Sequence, residues 1–409
     1  MRVLIIYFLI CALFHAQAQN GVAWKSLKQA EAALGCTNAL WDGDSILFSN
    51  ETDVVRFYAG RRRAEVNGCK VWLNVLPEGS VSNGDWRMGA IDLDYIKLGI
   101  LTATNAEPKQ LHVMLDAGHG GMDDGASSPA PLVVREKNVT LDMVRLIGER
   151  LEEAGMKVSY TRTNDVALAL DERSSIARAA KADIFVSIHA NFSPNPQSTG
   201  IETFVINPAG YPGTPEGSRA RGFQIGNAND YYNTLLGYSI HRQMVAMDTN
   251  TVDRGLKRQS FFVLRETSCP AVLVEMGFLS NLRELLKLTE PEWMDYFADA
   301  VVDGICEYAS KVDALDVAVR EKRNREFEQK KAKIEKEKLA VAEKIAKAVP
   351  VAETNSATVV QAKQQEPEAP ATNTVEKAVS EEKPVEKIQP AATNILAESI
   401  FDFYSEKEI

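Results

Sequence analysis

The stretch LDAGHGGMDDGA, residues 115–126, holds His119 between two glycines, directly after the strand-like run LHVMLDA. Three more polar residues occupy comparable places. His189 closes the apolar run DIFVSIHAN, Glu275 lies near the end of AVLVEMGF, and Glu136 opens a helical pattern in REKN. In an open α/β sheet, ligands gather beyond the carboxyl ends of the strands, so one topological rule draws all four together. Two histidines and a carboxylate, with one position left for water, are the donor set of a catalytic zinc site. Such an ion acidifies water and polarises a carbonyl, and a further carboxylate can pass the water's proton to a leaving group. The glycines let the backbone turn sharply and leave room around the imidazole. Singly, each residue has an ordinary explanation: a strand-end histidine, a buried carboxylate, or a glutamate favoured by the helix macrodipole. Their joint occurrence, in order and at strand ends, carries the chemical reading.

Other polar residues are open to two readings. Asn191 orients substrate or the metal shell, or simply holds the loop after His189. Arg254, in DRGLKR, contacts a substrate carboxylate or sugar, or lies on a loop surface. Asp116 and Asp123 are candidates to orient His119, since ligating histidines usually donate their second nitrogen to a partner. His112 and His241 read as bystanders. The long Gly-, Pro- and Asn-rich stretch from Ile206 to Asn233 is expected to form a mobile rim over the cleft.

The elements that must position these groups alternate along residues 108–311. LHVMLDA, MKVSYTR, DIFVSIHAN, GIETFVI, SFFVLR and PAVLVEMGF read as strands. Between them NVTLDMVRLIGERLEEAG is helical, with Val139, Met143, Leu146, Ile147 and Leu151 on one face and Gly155 as its stop. DERSSIARAAKA, with Asp171 as a cap, and NTLLGYSIHRQMVAMD are further helices. A last one, PEWMDYFADAVVDGICEYAS, has Pro291 in its first turn. The succession predicts an α/β domain with a mostly parallel twisted sheet flanked by helices.

These motifs resemble the catalytic domain of zinc-dependent N-acetylmuramoyl-L-alanine amidases. The match is carried by LDAGHGGMDDGA, REKNVTLD, TRTND, ERSSIARAAKADIFVSIHAN, GIETFVI and RGLKRQSFFVLRETSCPAVLVEMGFLSN. The resemblance implies one Zn2+ held by His119, Glu136 and His189, with Glu275 as the catalytic carboxylate. The implied substrate is peptidoglycan, cut at the amide between N-acetylmuramic acid and L-alanine of the stem peptide. A zinc carboxypeptidase or endopeptidase acting on stem peptides would use a similar donor set, and the motif set GHGG, EK, SIHAN, EMGF separates the two. A wall-binding protein without activity would lack a ligand or Glu275, and all four are present.

The rest of the 409-residue chain frames this domain. Residues 1–18, MRVLIIYFLICALFHAQA, read as an export signal: a basic start, an apolar run too short to span a membrane, and an A-x-A end. Export to the periplasm or the extracellular space follows, with no transmembrane segment in the mature chain. Residues 22–103 read as a small β-rich module that resembles the stalk modules, like the N-terminal domain of copper amine oxidases, found beside cell-wall hydrolases; AEVNGCKVWLNVLP and GDWRMGAIDLD carry that likeness. Cys36 and Cys69 fall in this module, and a disulfide between them or two buried thiols fit the sequence equally. Residues 314–348 read as a charged, solvated helix. Residues 349–409 are expected to be a disordered tail whose apolar end, NILAESIFDFYSEKEI, docks on an envelope protein or activator or frays. A formal charge of −10 and the lack of a basic stripe argue against nucleic acid as a partner.

Overall fold

The structure is a computed structural model that describes residues 22–348, apart from 80–83, 104–105 and 216–217. The expected leader and C-terminal tail lie outside the described residues. Residues up to Glu326 form one compact unit, and a second begins at Phe327.

The first unit opens with β1 (Trp24–Ser26) and α1 (Leu27–Leu34). The Ser26 amide donates to Gln29 Oε1 at 3.0 Å, and Gly35 ends the helix with a left-handed φ of 72°. A meander follows: β2 (Asn38–Asp42), β3 (Ser45–Ser49), β4 (Val54–Tyr58), β5 (Arg63–Val66) and β6 (Cys69–Trp72), each antiparallel to the one before. β2 is exposed throughout, whereas β3, β4 and β5 turn Ile46, Phe48, Val55, Phe57, Ala64 and Val66 inward at alternate positions. β7 (Arg87–Gly89) pairs with β1, and α2 (Ala90–Gly99) closes the segment. Cys36 and Cys69 are both free thiols.

The alternating part contains β8 (His112–Ala117), α3 (Glu136–Glu153), β9 (Lys157–Tyr160), α4 (Leu170–Ala180), β10 (Ile184–Asn191), β11 (Ile201–Val205), α5 (Asp230–Ala246), β12 (Asp253–Arg258), α6 (Phe262–Arg265), β13 (Ala271–Phe278), α7 (Leu282–Leu288) and α8 (Pro291–Ala348). Its strands and those of the meander share one sheet, ordered β2-β3-β4-β5-β6-β12-β11-β13-β10-β8-β9. The β13-β10-β8-β9 block is parallel, as expected for strands buried on both faces. β8 is buried at all six positions. The α/β architecture agrees with the sequence reading.

Four local expectations need correction. β11 is antiparallel to β13, because hydrophobic periodicity carries no strand direction. The loop after β11 therefore leaves from the sheet end opposite His189 and Glu275, and Thr214 pins it to Arg258; it forms no rim over that cleft. SFFVLR contains the short helix α6, and the strand is instead DRGLKR, whose charges hid it. Asp171 is not the cap of α4: Ala169 holds that place, and its amide donates to Glu172 Oε2 at 2.7 Å.

The last two expected helices are one, α8. Its first part buries Phe297, Ala298, Val301, Ile305, Leu315 and Val319. In the second unit it exposes Phe327, Ile334, Leu339 and Val341, as a solvated helix does. In the first unit Gly304 lets α8 cross α5 closely: a Cβ there would stand 2.4 Å from Ile240 Cα. Alanine would gain about 1 kcal/mol of helix propensity but add a methyl where only backbone could yield, an overpacking cost of about 1–3 kcal/mol. Gly304→Ala is expected to lower stability by about 1 kcal/mol in denaturant unfolding. Unchanged or raised stability would show that the two helices part without cost.

Candidate active site

The carboxyl ends of β8 and β10 lie side by side, with β13 on the far flank of β10. His119 follows β8 in a left-handed conformation, φ 61°, which non-glycine residues rarely adopt. Two buried arginines hold it there. Arg173, on α4, donates to the His119 carbonyl at 2.8 Å and the Ala117 carbonyl at 2.7 Å. Arg162 donates to the carbonyls of Ala117 and Gly118 at 2.9 and 2.8 Å. Asp116 anchors Arg173 at 2.7 Å and accepts the hydroxyls of Thr161 and Ser187. Burial works to raise the Asp116 pKa, but Arg173 and the two hydroxyls outweigh it and hold the group below its usual value. Asp116 thus supports the loop backbone and makes no contact with the His119 ring, contrary to expectation. Asp123 does fill the expected role, meeting His119 Nδ1 at 2.7 Å.

Glu136 begins α3 and is buried. Its Oε2 lies 3.2 Å from His119 Nε2 and accepts the Ala126 amide at 2.7 Å. Its Oε1 lies 2.8 Å from His189 Nδ1 and accepts the Ala190 amide at 3.1 Å. The carboxylate therefore stands between two imidazoles packed edge to face, with ring centroids 5.1 Å apart. One donor atom from each of the three residues lies within 4.8 Å of the others. Two glycines make this approach possible. A Cβ on Gly118 would meet the His189 ring at 2.4 Å, and one on Gly125 would meet Glu136 Oε2 and the His119 ring at 2.6 Å.

Burial disfavours an imidazolium at His119, yet hydrogen bonds to Asp123 and Glu136 push its pKa up to about 10. Burial likewise works to raise Glu136, but the two imidazoles hold it well below the usual carboxylate range. Two imidazole nitrogens and a carboxylate converging in this way have the donor chemistry of a divalent metal site.

Glu275 sits on β13 in register with His189 on β10 and, across the antiparallel join, with Glu202 on β11. His189, Glu275 and Glu202 therefore form one row on one face of the sheet. Glu202 escaped the sequence reading, which took GIETFVI as a strand without its direction. It is buried, and burial works to raise its pKa, but Lys257 and Arg254 keep it below its usual value. Arg254 Nε meets it at 2.9 Å, Lys257 forms a second ion pair with it, and Asn191 Nδ2 donates to it at 2.6 Å. Asn191 and Arg254 thus both end at Glu202.

A family model described as N-acetylmuramoyl-L-alanine amidase matches residues 113–307. The YqiI protein of Bacillus subtilis (strain 168) is 34% identical over 196 residues, 48% of this chain and 84% of YqiI. This chain belongs to the N-acetylmuramoyl-L-alanine amidase family. The family member LytC of the same organism is 32% identical over 196 residues, 48% of this chain and 35% of LytC. The solved catalytic domain of CwlV, an N-acetylmuramoyl-L-alanine amidase from Bacillus (Paenibacillus) polymyxa, is 32% identical, with a TM-score of 0.42 over 49% of this chain and 99% of that domain. The chain thus spans about a third of LytC. His119, Glu136, His189 and Glu275 all fall within the family match.

Among the described residues, the two other histidines lie apart. His112 is buried with Nε2 2.9 Å from Ser159 Oγ. His241 is buried with Nδ1 on Thr203 and Nε2 on Asp253, each at 3.0 Å. Cys69 lies close to that pair, but both ring nitrogens are already taken, so the trio reads as a hydrogen-bonded junction. Glu202→Gln is expected to cost about 1–2 kcal/mol in denaturant unfolding, less than a fully buried pair because both cations reach solvent. A cost near zero would mean that the two cations need no shared carboxylate.

Proposed function

We propose that the chain is an exported peptidoglycan hydrolase that cuts the amide between N-acetylmuramic acid and L-alanine, in wall remodelling or daughter-cell separation. His119, Glu136 and His189 hold one Zn2+ in this reading, and Glu275 is the general acid and base. The observation that carries it is Glu136 standing between two imidazoles at adjoining strand ends, with Glu275 in register with His189. Family membership supports the bond, and the donor set supports the metal. Export rests on the leader-like residues 1–18. Among the described residues, no helix is long and apolar enough to cross a membrane.

Zinc in such a site supplies Lewis acidity, acidifying water and polarising a carbonyl oxygen. The chain's own residues supply the rest. Asp123 fixes the His119 tautomer, so that Nε2 faces the cluster. The Ala126 and Ala190 amides fix both oxygens of Glu136. Glu275 accepts the proton of the attacking water and returns it to the departing alanine nitrogen. Asn191, held on Glu202, shapes the strand end beside His189.

Defined muropeptides incubated with the full chain and analysed by mass spectrometry test the reading. Release of the intact stem peptide, abolished by a chelator and restored by zinc, is expected. Glu275→Gln should retain zinc while turnover falls at least about 100-fold, the usual scale for a lost general acid–base. Cleavage inside the stem peptide would contradict the bond assignment, and full activity of Glu275→Gln would contradict its role.

A further inference from the structure

The antiparallel entry of β11 brings the starts of β11 and β12 to the same sheet end as His189 and Glu275. Arg254 and Lys257 flank Glu202 there. Two cations sharing one carboxylate leave one net positive charge beside an otherwise acidic row. The Arg254 guanidinium packs over the Phe278 ring, 4.8 Å from its centroid, and Phe278 is in register with Asn191. Its side chain remains 34% exposed, so it is both held and reachable.

The other flank of β12 is gripped by the N-terminal segment. Val71 of β6 pairs with Leu256. The Lys70 amide donates to Asp253 Oδ2 at 2.7 Å, and Trp72 Nε1 donates to the Arg254 carbonyl at 2.9 Å. Gly255, φ 95°, keeps this approach open, since a Cβ there would meet Trp72 Cδ1 at 2.9 Å. One run of contacts thus leads from Trp72 to Arg254, Glu202 and Asn191, two residues beyond His189.

We infer that Arg254, backed by Lys257, forms a carboxylate-binding subsite beside Glu275, and that Trp72 of the N-terminal segment is its positioning residue. The ligand is a free carboxylate on the stem peptide, so the inference rests on the peptidoglycan reading. With Nε on Glu202 and Nη1 on the Thr199 carbonyl, Arg254 offers Nη2 to a carboxylate, and a net cation in an acidic cleft selects an anionic peptide over its amidated form. The N-terminal segment then contributes to substrate choice through the strand it holds.

The test uses the full zinc-loaded chain carrying Glu275→Gln, so that ligand survives. Calorimetry compares two N-acetylmuramoyl peptides that differ only in a free carboxylate or a carboxamide on the second stem residue. The carboxylate form is expected to bind about tenfold tighter, the scale of one charge-assisted hydrogen bond. Adding Arg254→Met should erase that preference. Arg254→Lys, which keeps the charge on Glu202 but loses Nη2, should narrow it if the methionine variant folds poorly. Trp72→Phe keeps an aromatic ring and removes the indole N–H. It should narrow the preference while leaving carboxamide binding and the melting temperature unchanged. Equal binding of both peptides, binding of neither, a preference that survives Arg254→Met, or equal weakening of both peptides by Trp72→Phe would each overturn the inference. The cleaved bond is judged separately from wild-type products, so a wrong bond assignment and a wrong subsite give different results.

Discussion

Asp116 is fully buried, and it keeps its charge because Arg173 and the hydroxyls of Thr161 and Ser187 surround it. That pair sits behind the first strand of the parallel block. From it, Arg173 reaches forward to the carbonyls of Ala117 and His119, while Arg162 braces Ala117 and Gly118. A left-handed histidine is a costly conformation that persists only when its surroundings over-determine it. Here four guanidinium hydrogen bonds to the loop carbonyls do so, and the ring is delivered against Glu136. The burial that makes these charges expensive also makes them rigid, since neither can leave without stranding the other.

The second organising feature is the reversal between β13 and β11. In a wholly parallel sheet, the starts of β11 and β12 would lie at the far end from His189. The reversal brings Glu202 and Arg254 to the near end and sends the long loop after β11 away. It also leaves β12 with a free flank, which the N-terminal meander occupies through β6. The meander's strands and the amidase-family strands thus share one backbone hydrogen-bond network.

Much of this was legible in the sequence. A glycine-flanked histidine after the strand-like run LHVMLDA, and apolar runs closing on His189 and Glu275, are strand-end signals that gain their meaning together. The β-rich character of residues 22–103 was legible as well, although the antiparallel order of its strands was not. What escaped detection shares a physical reason. Arg173 lies in a helix whose charges look solvated, and only the fold shows that its guanidinium turns inward to a buried aspartate. DRGLKR reads as a polar loop, and only the fold shows that Arg254 and Lys257 pair with Glu202 while Asp253 meets the Lys70 amide and His241. Strand direction leaves no mark on side-chain alternation, so the role of Glu202 could not be read before the topology was known.

Buried Arg173 sets the His119 geometry on which the proposed metal site depends. Zinc titration of the metal-free full chain, wild type against Arg173→Lys, tests it most directly. Lysine keeps the charge opposite Asp116 but cannot bridge Asp116 and two carbonyls at once. One tight site is predicted in the wild type, weakened about 10- to 100-fold in Arg173→Lys with the fold retained, the usual scale for losing a group that orients a ligand. Equal zinc affinity in the two proteins would contradict the account.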